Sequence, residues 1–256
     1  MLTLFQETCF DDTNIVNNNN KDYAINFKND FNKILIKILK FKDNLLGGWR
    51  FCNVFIGENS NTNIFFTIKI TKNEAKSISK EINLLNILKG ISGIPILINY
   101  INKKNNKAIW TNLCIPSLDK PFCFCDLKFS ETTILLIAIN IMKILKRIHE
   151  ARVIHRDLKP ANICYGSFSC YKFNSFDKTI TLIDFGLGKI YSTKNLRNNE
   201  IKNNNYFVGT PMFASTSALS GLLQLPKDNV ESLFYVMIYL KNGTLPWLKF
   251  KKEDKR

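Results

Sequence analysis

Short apolar runs rich in β-branched and aromatic residues alternate with polar segments in the first half of the chain. WRFCNVFIG (49–57) and NIFFTIKI (63–70) are two such runs, and the polar segment ENSNT separates them. Closely spaced runs of this kind are typical of antiparallel strands joined by a hairpin. AIWTNLCI (108–115) predicts a further strand. Residues 1–40 include an Asn tract and predict a loose extension that ends in a basic amphipathic helix around 31–41.

Residues 73–89, NEAKSISKEINLLNILK, have the spacing of a helix that buries one face. Their apolar residues recur mainly three or four positions apart, which is the period of an α-helix. Gly90, Gly93 and Pro95 follow directly and predict where the helix ends. The apolar positions are Ile78, Ile82, Leu84, Leu85 and Leu88.

Longer apolar segments in the second half predict helices. Ser130 is the predicted N-cap of a helix over residues 131–150, because a Ser hydroxyl can accept a bond from a free N–H in the first turn. The polar residues of this helix fall on one narrow stripe, so most of its surface is predicted to be buried. Residues 230–240 are apolar on every side and predict a core helix. The polar stripe consists of Asn140, Lys143, Arg147 and Glu150.

Composition and element order narrow the class of protein. The chain has 256 residues, of which 45% are apolar, and this is enough for one domain of two lobes. Strands followed by helices predict an α+β fold with a small β-rich lobe and a helical lobe. The net charge of +15 favours acidic partners. The lysines are spread along the chain, so a solvated basic surface is favoured over a nucleic-acid groove.

The cysteines and the N-terminus predict an intracellular protein, in the cytoplasm or the nucleus. Seven cysteines, no CxxC pair and only two histidines do not suggest a zinc centre, and reduced thiols are expected. No secretory signal is predicted, because Asp11 and Asp12 interrupt a short apolar start that has no basic region. The apolar run 134–145 is too short for a membrane span, which needs about 20 residues.

One loop concentrates charged and amide side chains between apolar flanks. VIHRDLKPANI (153–163) carries Asp157, Lys159 and Asn162. Loops held by packed elements are where catalytic groups are commonly presented. Asp157 and Asn162 are also residue types that ordinary turns prefer, and this alternative stays open.

Three further features follow a fixed order around this loop. Lys69 ends the strand-like run FTIK, and Glu81 lies in the helix predicted over 73–89. Asp184-Phe185-Gly186 comes directly after the apolar run ITLI (180–183). Considered alone, a strand-end Lys or a helix Glu is more often a solvated surface residue. Their combination and order give them weight.

The strand Lys, the helix Glu, HRDLKPAN and DFG together resemble the signature set of the protein kinases. The resemblance is closest to casein kinase I and its tau-tubulin and vaccinia-related relatives, over about residues 41–250. It implies a bilobal fold with residues 1–40 as an extension, 41–114 as N-lobe and hinge, and 115–256 as a C-lobe that lacks its last helices. The matching segments are GISGIP (90–95), IPSLD (115–119), GTPMFAS (209–215) and DNVESLFYVMIYLKNGTLPW (228–247).

This resemblance implies a serine/threonine kinase that transfers the γ-phosphoryl group of ATP to a protein hydroxyl. Lys69 would hold the α- and β-phosphates, and Glu81 would hold the Lys69 ammonium in an ion pair. Asp157 would orient the substrate hydroxyl, and Lys159 would reach the γ-phosphate. Such a set mainly positions the reactants and neutralises charge, which is what a loose phosphoryl-transfer transition state requires.

The resemblance also assigns the metal and the nucleotide. Asn162 and Asp184 would bind Mg²⁺, a hard cation that prefers oxygen ligands. Gly47 is the remaining glycine of the phosphate loop. Asn112 to Cys114 would form the hinge that binds adenine through backbone groups.

Two residues near the loop have supporting roles. His155 is expected to pack and to make hydrogen bonds rather than to catalyse. Thr210 is expected to bond the catalytic loop, with an ordinary turn Thr as the alternative.

Several departures from the kinase pattern keep a second function open. Trp49 and Cys52 occupy two glycine positions of the phosphate loop, where glycine lets backbone N–H groups approach phosphate. Asn229 stands where the family has an Asp that braces the catalytic loop, with Asp228 one place earlier. Met212 replaces an Arg that would bind a phosphorylated priming residue. The alternative is therefore a catalytically impaired pseudokinase that acts as a binding or scaffold module.

A shortened C-lobe has a consequence for partners. A helix over 230–240 that is apolar on every side needs cover, and only nine residues follow Trp247. An exposed apolar patch is unusual on a soluble monomer. Self-association or a partner protein is therefore expected, besides ATP and protein substrates.

Overall fold

The structure is a computed structural model that describes residues 36–38, 45–49, 52–59, 64–71, 76–102, 107–168, 176–192 and 207–248. These residues fall into two compact units. A sheet unit contains the described residues before 76 together with Ile98–Leu113 and Phe168–Phe176, and a helical unit contains the remainder. Within the part of the chain that is described, no helix has both the length and the apolarity to cross a bilayer.

A six-stranded sheet is the basis of the sheet unit. Its strands are β1 Ile36–Ile38, β2 Leu45–Trp49, β3 Cys52–Asn59, β4 Ile64–Thr71, β5 Leu97–Asn102 and β6 Lys107–Asn112. They lie in the order β1-β3-β4-β6-β5, and β2 also pairs with β3. The pairs β1–β3, β2–β3, β3–β4 and β4–β6 are antiparallel.

The predicted hairpin is confirmed, with one correction to its first strand. β3 and β4 pair along their whole length, from Asn59 opposite Ile64 to Cys52 opposite Thr71. The run 49–57, however, does not form a single strand, because Trp49 ends β2 and pairs with Cys52 at the start of β3. The two residues between them are Arg and Phe, so the sequence lacks the Gly or Pro that marks most turns.

The helix predicted around 31–41 was wrong within its described part. Ile36–Ile38 is a strand that pairs with Gly57–Asn59 of β3. Ile-Lys-Ile fits both the helical period and the alternation of a strand. Its pairing with β3 favours the strand. The remaining residues of the predicted helix lie outside the described residues.

Strand alternation places the apolar core of the sheet on one face. Phe66, Ile68 and Ile70 lie two residues apart on β4 and pack with Ala108 and Trp110 of β6 in one buried cluster. Successive side chains of a strand point to opposite faces. The side chain of Lys69, which lies opposite Ile109, therefore leaves the sheet on the other face.

Five α-helices and several short elements make up the described helical unit. The helices are α1 Lys76–Ile87, α2 Asp119–Phe124, α3 Glu131–Glu150, α4 Thr216–Leu219 and α5 Pro226–Asn242. The short strands are β7 Val153–Ile154, β8 Ile163–Phe168, β9 Phe176–Leu182 and β10 Lys189–Ile190, in the pairs β7–β10 and β8–β9. The 3₁₀ helices are η1 Pro160–Asn162, η2 Phe185–Leu187 and η3 Pro211–Phe213. The α+β architecture predicted from the sequence is confirmed.

Helix α1 buries the face that its periodicity predicted. All five predicted apolar positions are buried, and Gly90 follows the helix with a φ of 86°. The helix packs on the segment around η2: a Cβ built on Gly188 would lie 2.5 Å from Leu84 Cδ1. Glycine at position 188 therefore permits this close approach.

Helix α3 begins as predicted but is buried on one side only. The Ser130 hydroxyl accepts a hydrogen bond from the Thr133 N–H at 3.2 Å, which confirms the N-cap. The prediction that most of the helix is buried was wrong, because apolar residues on its outer face are exposed. A narrow polar stripe limits how much of a helix can face water, but only the neighbouring elements decide how much is covered. The exposed residues are Leu135, Leu136, Ile139 and Met142.

Helix α5 also departs from the predicted all-round burial. Leu233, Val236 and Leu240 are buried, whereas Phe234 is 61% exposed. Its first turn is stabilised by Asp228, whose carboxylate accepts the Leu225 N–H at 2.6 Å. Gly243 ends the helix with a φ of 74°.

A pair of conservative substitutions on α3 measures this one-sided burial. Ile148 is fully buried and Ile139 is 50% exposed on the same helix. We expect Ile148→Val to lower the free energy of unfolding by about 0.5–1.5 kcal/mol, because it removes one buried methyl group. Ile139→Val is the matched control and should change it by less than about 0.5 kcal/mol. Urea denaturation of both variants checks this, and equal losses would contradict the assigned faces.

Candidate active site

The loop after β7 is held in an unusual backbone conformation. Arg156 has a φ of 70°, in the left-handed region, which costs about 1–3 kcal/mol for a non-glycine residue. Its side chain is anchored, because Nε donates to the Leu187 carbonyl at 2.7 Å. The loop then extends through Lys159, and Pro160 starts η1 at a position where a missing N–H costs nothing.

This loop brings the predicted catalytic side chains into one hydrogen-bonded cluster. Asp157 Oδ2 lies 2.9 Å from Lys159 Nζ, and Asp157 Oδ1 accepts the Thr210 hydroxyl at 2.6 Å. Lys159 Nζ also donates to Thr210 Oγ1 at 3.2 Å. Asp157 and Lys159 are both buried, so their charges interact in a medium that screens less than water. Thr210 bonds the catalytic loop as predicted.

Asn162 adds a fixed amide to the cluster and leaves one oxygen free. Its Nδ2 donates to the Asp157 carbonyl at 2.8 Å and to Asp157 Oδ2 at 3.1 Å. Its Oδ1 is buried and has no hydrogen-bond partner among the described residues. A buried amide oxygen without a partner costs about 1–3 kcal/mol and calls for an explanation. A hard cation is one ligand that such an oxygen suits.

Asp184 directly follows Ile183, the residue that is hydrogen-bonded to Asn162. The Ile183 N–H donates to the Asn162 carbonyl at 2.9 Å. Asp184 has a φ of 64°, and its carboxylate accepts the Gly186 N–H at 3.3 Å. No group of three or more His, Cys, Asp or Glu side chains in the described regions could hold a metal by itself. Asn162 and Asp184 supply oxygen ligands of the kind that fits Mg²⁺. This ion usually takes one or two protein carboxylates, and water and phosphate oxygens complete its coordination shell.

His155 fixes the loop to the segment that carries Asp184. Its Nδ1 accepts the Asp157 N–H at 3.2 Å, and Nε2 lies 2.9 Å from the Ile183 carbonyl. A carbonyl can only accept, so the ring carries its proton on Nε2. Burial lowers the pKa of His155, which favours this neutral form. The ring also packs edge-on against Phe185 at 4.8 Å, as the predicted supporting role requires.

Asn229 braces the loop although it is not an Asp. Its Oδ1 accepts the Arg156 N–H at 3.1 Å, and its Nδ2 lies 2.9 Å from His149 Nε2. An amide oxygen accepts this bond as a carboxylate oxygen would, so the bond survives the replacement. Asp228 is used differently, since its Oδ1 accepts the Ser215 hydroxyl at 2.7 Å.

The predicted residues of the sheet unit are placed within their own unit. Lys69 on β4 and Asn112 on β6 are buried. Gly47 lies on β2 opposite Val54. Cys114 and Glu81, which belong to the helical unit, are buried as well. Because both side chains are buried, the alternative that Lys69 and Glu81 are solvated surface residues is wrong. Buried Lys and Glu are rare in proteins.

A shallow, solvent-open depression lies beside Asp157. Sequence reasoning missed most of its lining, because its members come from separate segments. Gln224 is the clearest example: it is buried, and its Nε2 donates to the Val208 carbonyl at 2.9 Å. The pocket places a concave surface next to the candidate base. Its lining includes Arg156, Asp157, Thr210, Phe213, Ser215 and Gln224.

A group of cations beside the loop was also missed. Burial lowers the pKa of Lys189, and repulsion from Arg156 and Lys80 lowers it further. Burial likewise lowers the pKa of Arg156. Lys189 therefore lies near both Arg156 and Lys80, a proximity that residues far apart in sequence do not reveal.

Comparison with known families accounts for this arrangement. Asp157, Lys159 and Asn162 form one cluster within an HRD loop, and Ile183, the residue directly before DFG, is bonded to it. A family model described as Protein kinase domain matches residues 41–256. This match covers most of the chain and includes every residue of the cluster, and the chain therefore belongs to the protein kinase family.

Proposed function

We propose that the protein is a serine/threonine kinase, similar to casein kinase I, that transfers the γ-phosphoryl group of ATP to protein hydroxyls. One observation carries the proposal: Asp157 is buried and held by Lys159, Thr210 and Asn162 at once. A carboxylate held by three donors is oriented before substrate arrives, and positioning is the main contribution a kinase makes.

Each member of the cluster then has a definite task. Asp157 accepts a hydrogen bond from the substrate hydroxyl and orients it, since this is the only carboxylate in the cluster. Lys159 neutralises charge on the transferred group, and Thr210 keeps the carboxylate and the ammonium in register. Asn162 and Asp184 would hold Mg²⁺, which would neutralise charge on the phosphate oxygens.

The nucleotide-binding roles rest on the family pattern and on burial. Lys69 would bind the α- and β-phosphates with Glu81 as its ion-pair partner, and both side chains are withdrawn from water. Gly47 would support the phosphates, and Asn112 to Cys114 would bind adenine through backbone groups. A buried ammonium needs a negative partner, which phosphate and a carboxylate both provide.

The likeness to casein kinase I and the substrate class are further parts of the proposal. The net charge of +15 favours acidic protein substrates. The exposed apolar residues of α3 and α5 are consistent with a partner or a second copy of the chain. A division at about residue 114 into N-lobe with hinge and C-lobe, after an extension over 1–40, remains the proposed domain organisation.

A pseudokinase is the second candidate, and the phosphate loop favours it. Trp49 and Cys52 lie directly opposite each other where β2 and β3 meet, and both stand at glycine positions of the family pattern. Asn229 no longer supports this alternative, because it still accepts the Arg156 N–H.

A transfer assay separates the candidates. The chain is incubated with radiolabelled ATP, Mg²⁺ and casein, and its melting temperature is measured with and without Mg-ATP. Label on casein supports the kinase. A thermal shift without transfer supports the pseudokinase, and the absence of both contradicts nucleotide binding altogether.

Substrate priming gives a prediction that rests on Met212. This residue lies in η3, and its carbonyl accepts the Trp247 indole N–H at 3.1 Å. A thioether cannot pair with phosphate as an Arg fork does. We expect little preference for peptides with an upstream phosphoserine, and Met212→Arg should introduce one. Matched primed and unprimed peptides are compared by kcat/KM.

The salt concentration decides how this comparison is interpreted. It is run at about 0.15 M salt, where exposed charges are screened beyond about 8 Å. The Trp247 indole N–H bonds the backbone carbonyl of residue 212, so the substitution leaves that hydrogen bond in place. A primed preference of the wild type near tenfold, about 1.4 kcal/mol, would refute the prediction.

A further inference from the structure

Three residues form a relay of hydrogen bonds from α3 to the backbone of the catalytic loop. His149 near the end of α3 contacts Asn229 on α5, and Asn229 contacts the Arg156 N–H. Arg156 directly precedes Asp157 and has a left-handed backbone, so this N–H is a point at which the loop can be held.

The orientation of the Asn229 amide follows from the chemistry of its two partners. The Arg156 N–H can only donate, so the amide must present its oxygen to it. The nitrogen of the amide therefore faces His149 Nε2 at 2.9 Å, and an amide nitrogen can only donate. His149 Nε2 must accept and cannot carry a proton. Asn229 is only 2% exposed, so bulk water does not reach a reversed amide to replace these partners.

We propose that His149 is a positioning residue that holds Asn229, and through it the catalytic loop, and that it does so only as the neutral tautomer with its proton on Nδ1. The effect on phosphoryl transfer rests on the proposed kinase function. The hydrogen-bond relay and the tautomer do not depend on it.

The second histidine of the chain provides an internal reference. His155 accepts on Nδ1 and donates from Nε2, so it holds the opposite tautomer. The chain has only these two histidines. The His149 ring therefore supports the Arg156 N–H through Asn229, and the His155 ring accepts the Asp157 N–H directly, with the proton on opposite ring nitrogens.

The surroundings of His149 keep its ring neutral. Burial lowers the pKa of His149 from its ordinary value of 6.5 to about 4. The neighbouring α5 contributes the neutral Asn229, the loop contributes Arg156, and the Tyr191 hydroxyl donates to the His149 carbonyl at 2.7 Å. As the pH falls below 6.5, the unfolded chain binds the proton first, so the fold loses stability between about pH 6.5 and about pH 4. Protonation of His149 in the folded form would place its Nε2–H opposite the Asn229 amide N–H, and two donors cannot form a hydrogen bond.

The tautomer is measured directly by NMR on the full chain labelled with ¹⁵N in histidine. At pH 7 we expect one ring with a protonated Nδ1 and one with a protonated Nε2, and His149→Gln identifies the first by its disappearance. A proton on Nε2 of His149 overturns the proposal. This measurement does not require enzymatic activity, so it tests the tautomer of His149 independently of the proposed kinase function.

Substitution of Asn229 tests the contact itself. In Asn229→Asp a carboxylate oxygen faces Nε2, so the ring must gain a proton there and its pKa must rise. Asn140→Asp is the matched control, because Asn140 is exposed on the same helix as His149 and bonds only the Leu136 carbonyl among the contacts described. It should leave the His149 titration unchanged. An unchanged His149 titration in Asn229→Asp overturns the proposed contact.

Activity measurements test the positioning role. Gln at position 149 offers an acceptor that cannot be protonated, so His149→Gln should keep kcat near the wild-type value. His149→Leu removes the acceptor and should lower kcat roughly tenfold at an unchanged KM for ATP. Equal losses in both variants would overturn the role of the acceptor. If the wild type transfers no phosphate, the amide signal of Arg156 replaces kcat: it should move in His149→Leu and not in His149→Gln, and the reverse overturns the proposal.

Discussion

Asp157→Asn should lower kcat about 10²–10⁴-fold while Mg-ATP still raises the melting temperature. Asp157 faces the position of the substrate hydroxyl in the proposed mechanism and makes no assigned contact with nucleotide. An amide at this position still accepts the Thr210 hydroxyl, so the cluster keeps part of its geometry. It loses the negative charge that orients the hydroxyl and balances Lys159.

The control for this substitution is another Asp→Asn change. Asp126 is exposed in a turn with a φ of 52°, a conformation that Asn accommodates well. Asp126→Asn should leave kcat and stability unchanged. Activity is normalised to folded protein, because loss of a buried ion-pair partner also destabilises the fold.

Lys69→Met distinguishes nucleotide binding from hydroxyl positioning. Lys69 is proposed to hold phosphate, so this variant should lose both the thermal shift with Mg-ATP and phosphate transfer. If Asp157→Asn retained wild-type kcat, Asp157 could not be the group that orients the substrate, whatever Lys69 does.

Gly209→Ala should lower the free energy of unfolding by about 2–5 kcal/mol. Gly209 has a φ of 126°, and a Cβ there would lie 2.7 Å from the Arg156 carbonyl oxygen. That oxygen belongs to the backbone of the catalytic loop, so it cannot rotate away as a side-chain end can. Thr210 follows directly, and its bond to Asp157 should lengthen as the two segments separate.

Gly221→Ala separates backbone strain from this clash. Gly221 also has a positive φ, 71°, but no described atom lies within 4 Å of a Cβ built there. Its substitution should cost only about 1–2 kcal/mol. Urea denaturation measures both variants, and kcat should fall in Gly209→Ala alone. Equal losses of stability would show that the contact with Arg156 is unimportant.

The sequence by itself determined the features that depend on neighbours a few residues away. The buried face of α1 follows from apolar residues about one helical turn apart, and Gly90 marks its end. The cap of α3 follows from a Ser hydroxyl three residues before the Thr133 N–H. Signals of this range are written in consecutive residues, so periodicity and capping chemistry suffice to detect them.

The residue types of the catalytic loop were likewise apparent from sequence, but their contacts were not. The order of the motifs predicted Asp157, Lys159 and Asn162 as a site. It did not show that one oxygen of Asn162 lacks a partner among the described residues, or that Thr210 bonds both Asp157 and Lys159. Such contacts depend on the tertiary structure: Thr210, for example, lies 53 positions from Asp157 in the sequence.

Only the tertiary structure decided which surfaces are covered and which distant groups meet. Residues 131–150 and 230–240 contain enough apolar residues for all-round burial, yet each helix is exposed wherever no described element packs on it. Asn229 looked like a defect in the sequence, because the motif there requires an acceptor and Asp is the expected one. In the structure its amide oxygen accepts the Arg156 N–H, and its amide nitrogen donates to His149. A hydrogen bond depends on which atom faces which partner, and for His149 and Asn229, 80 positions apart, that is set by the packing of α3 and α5.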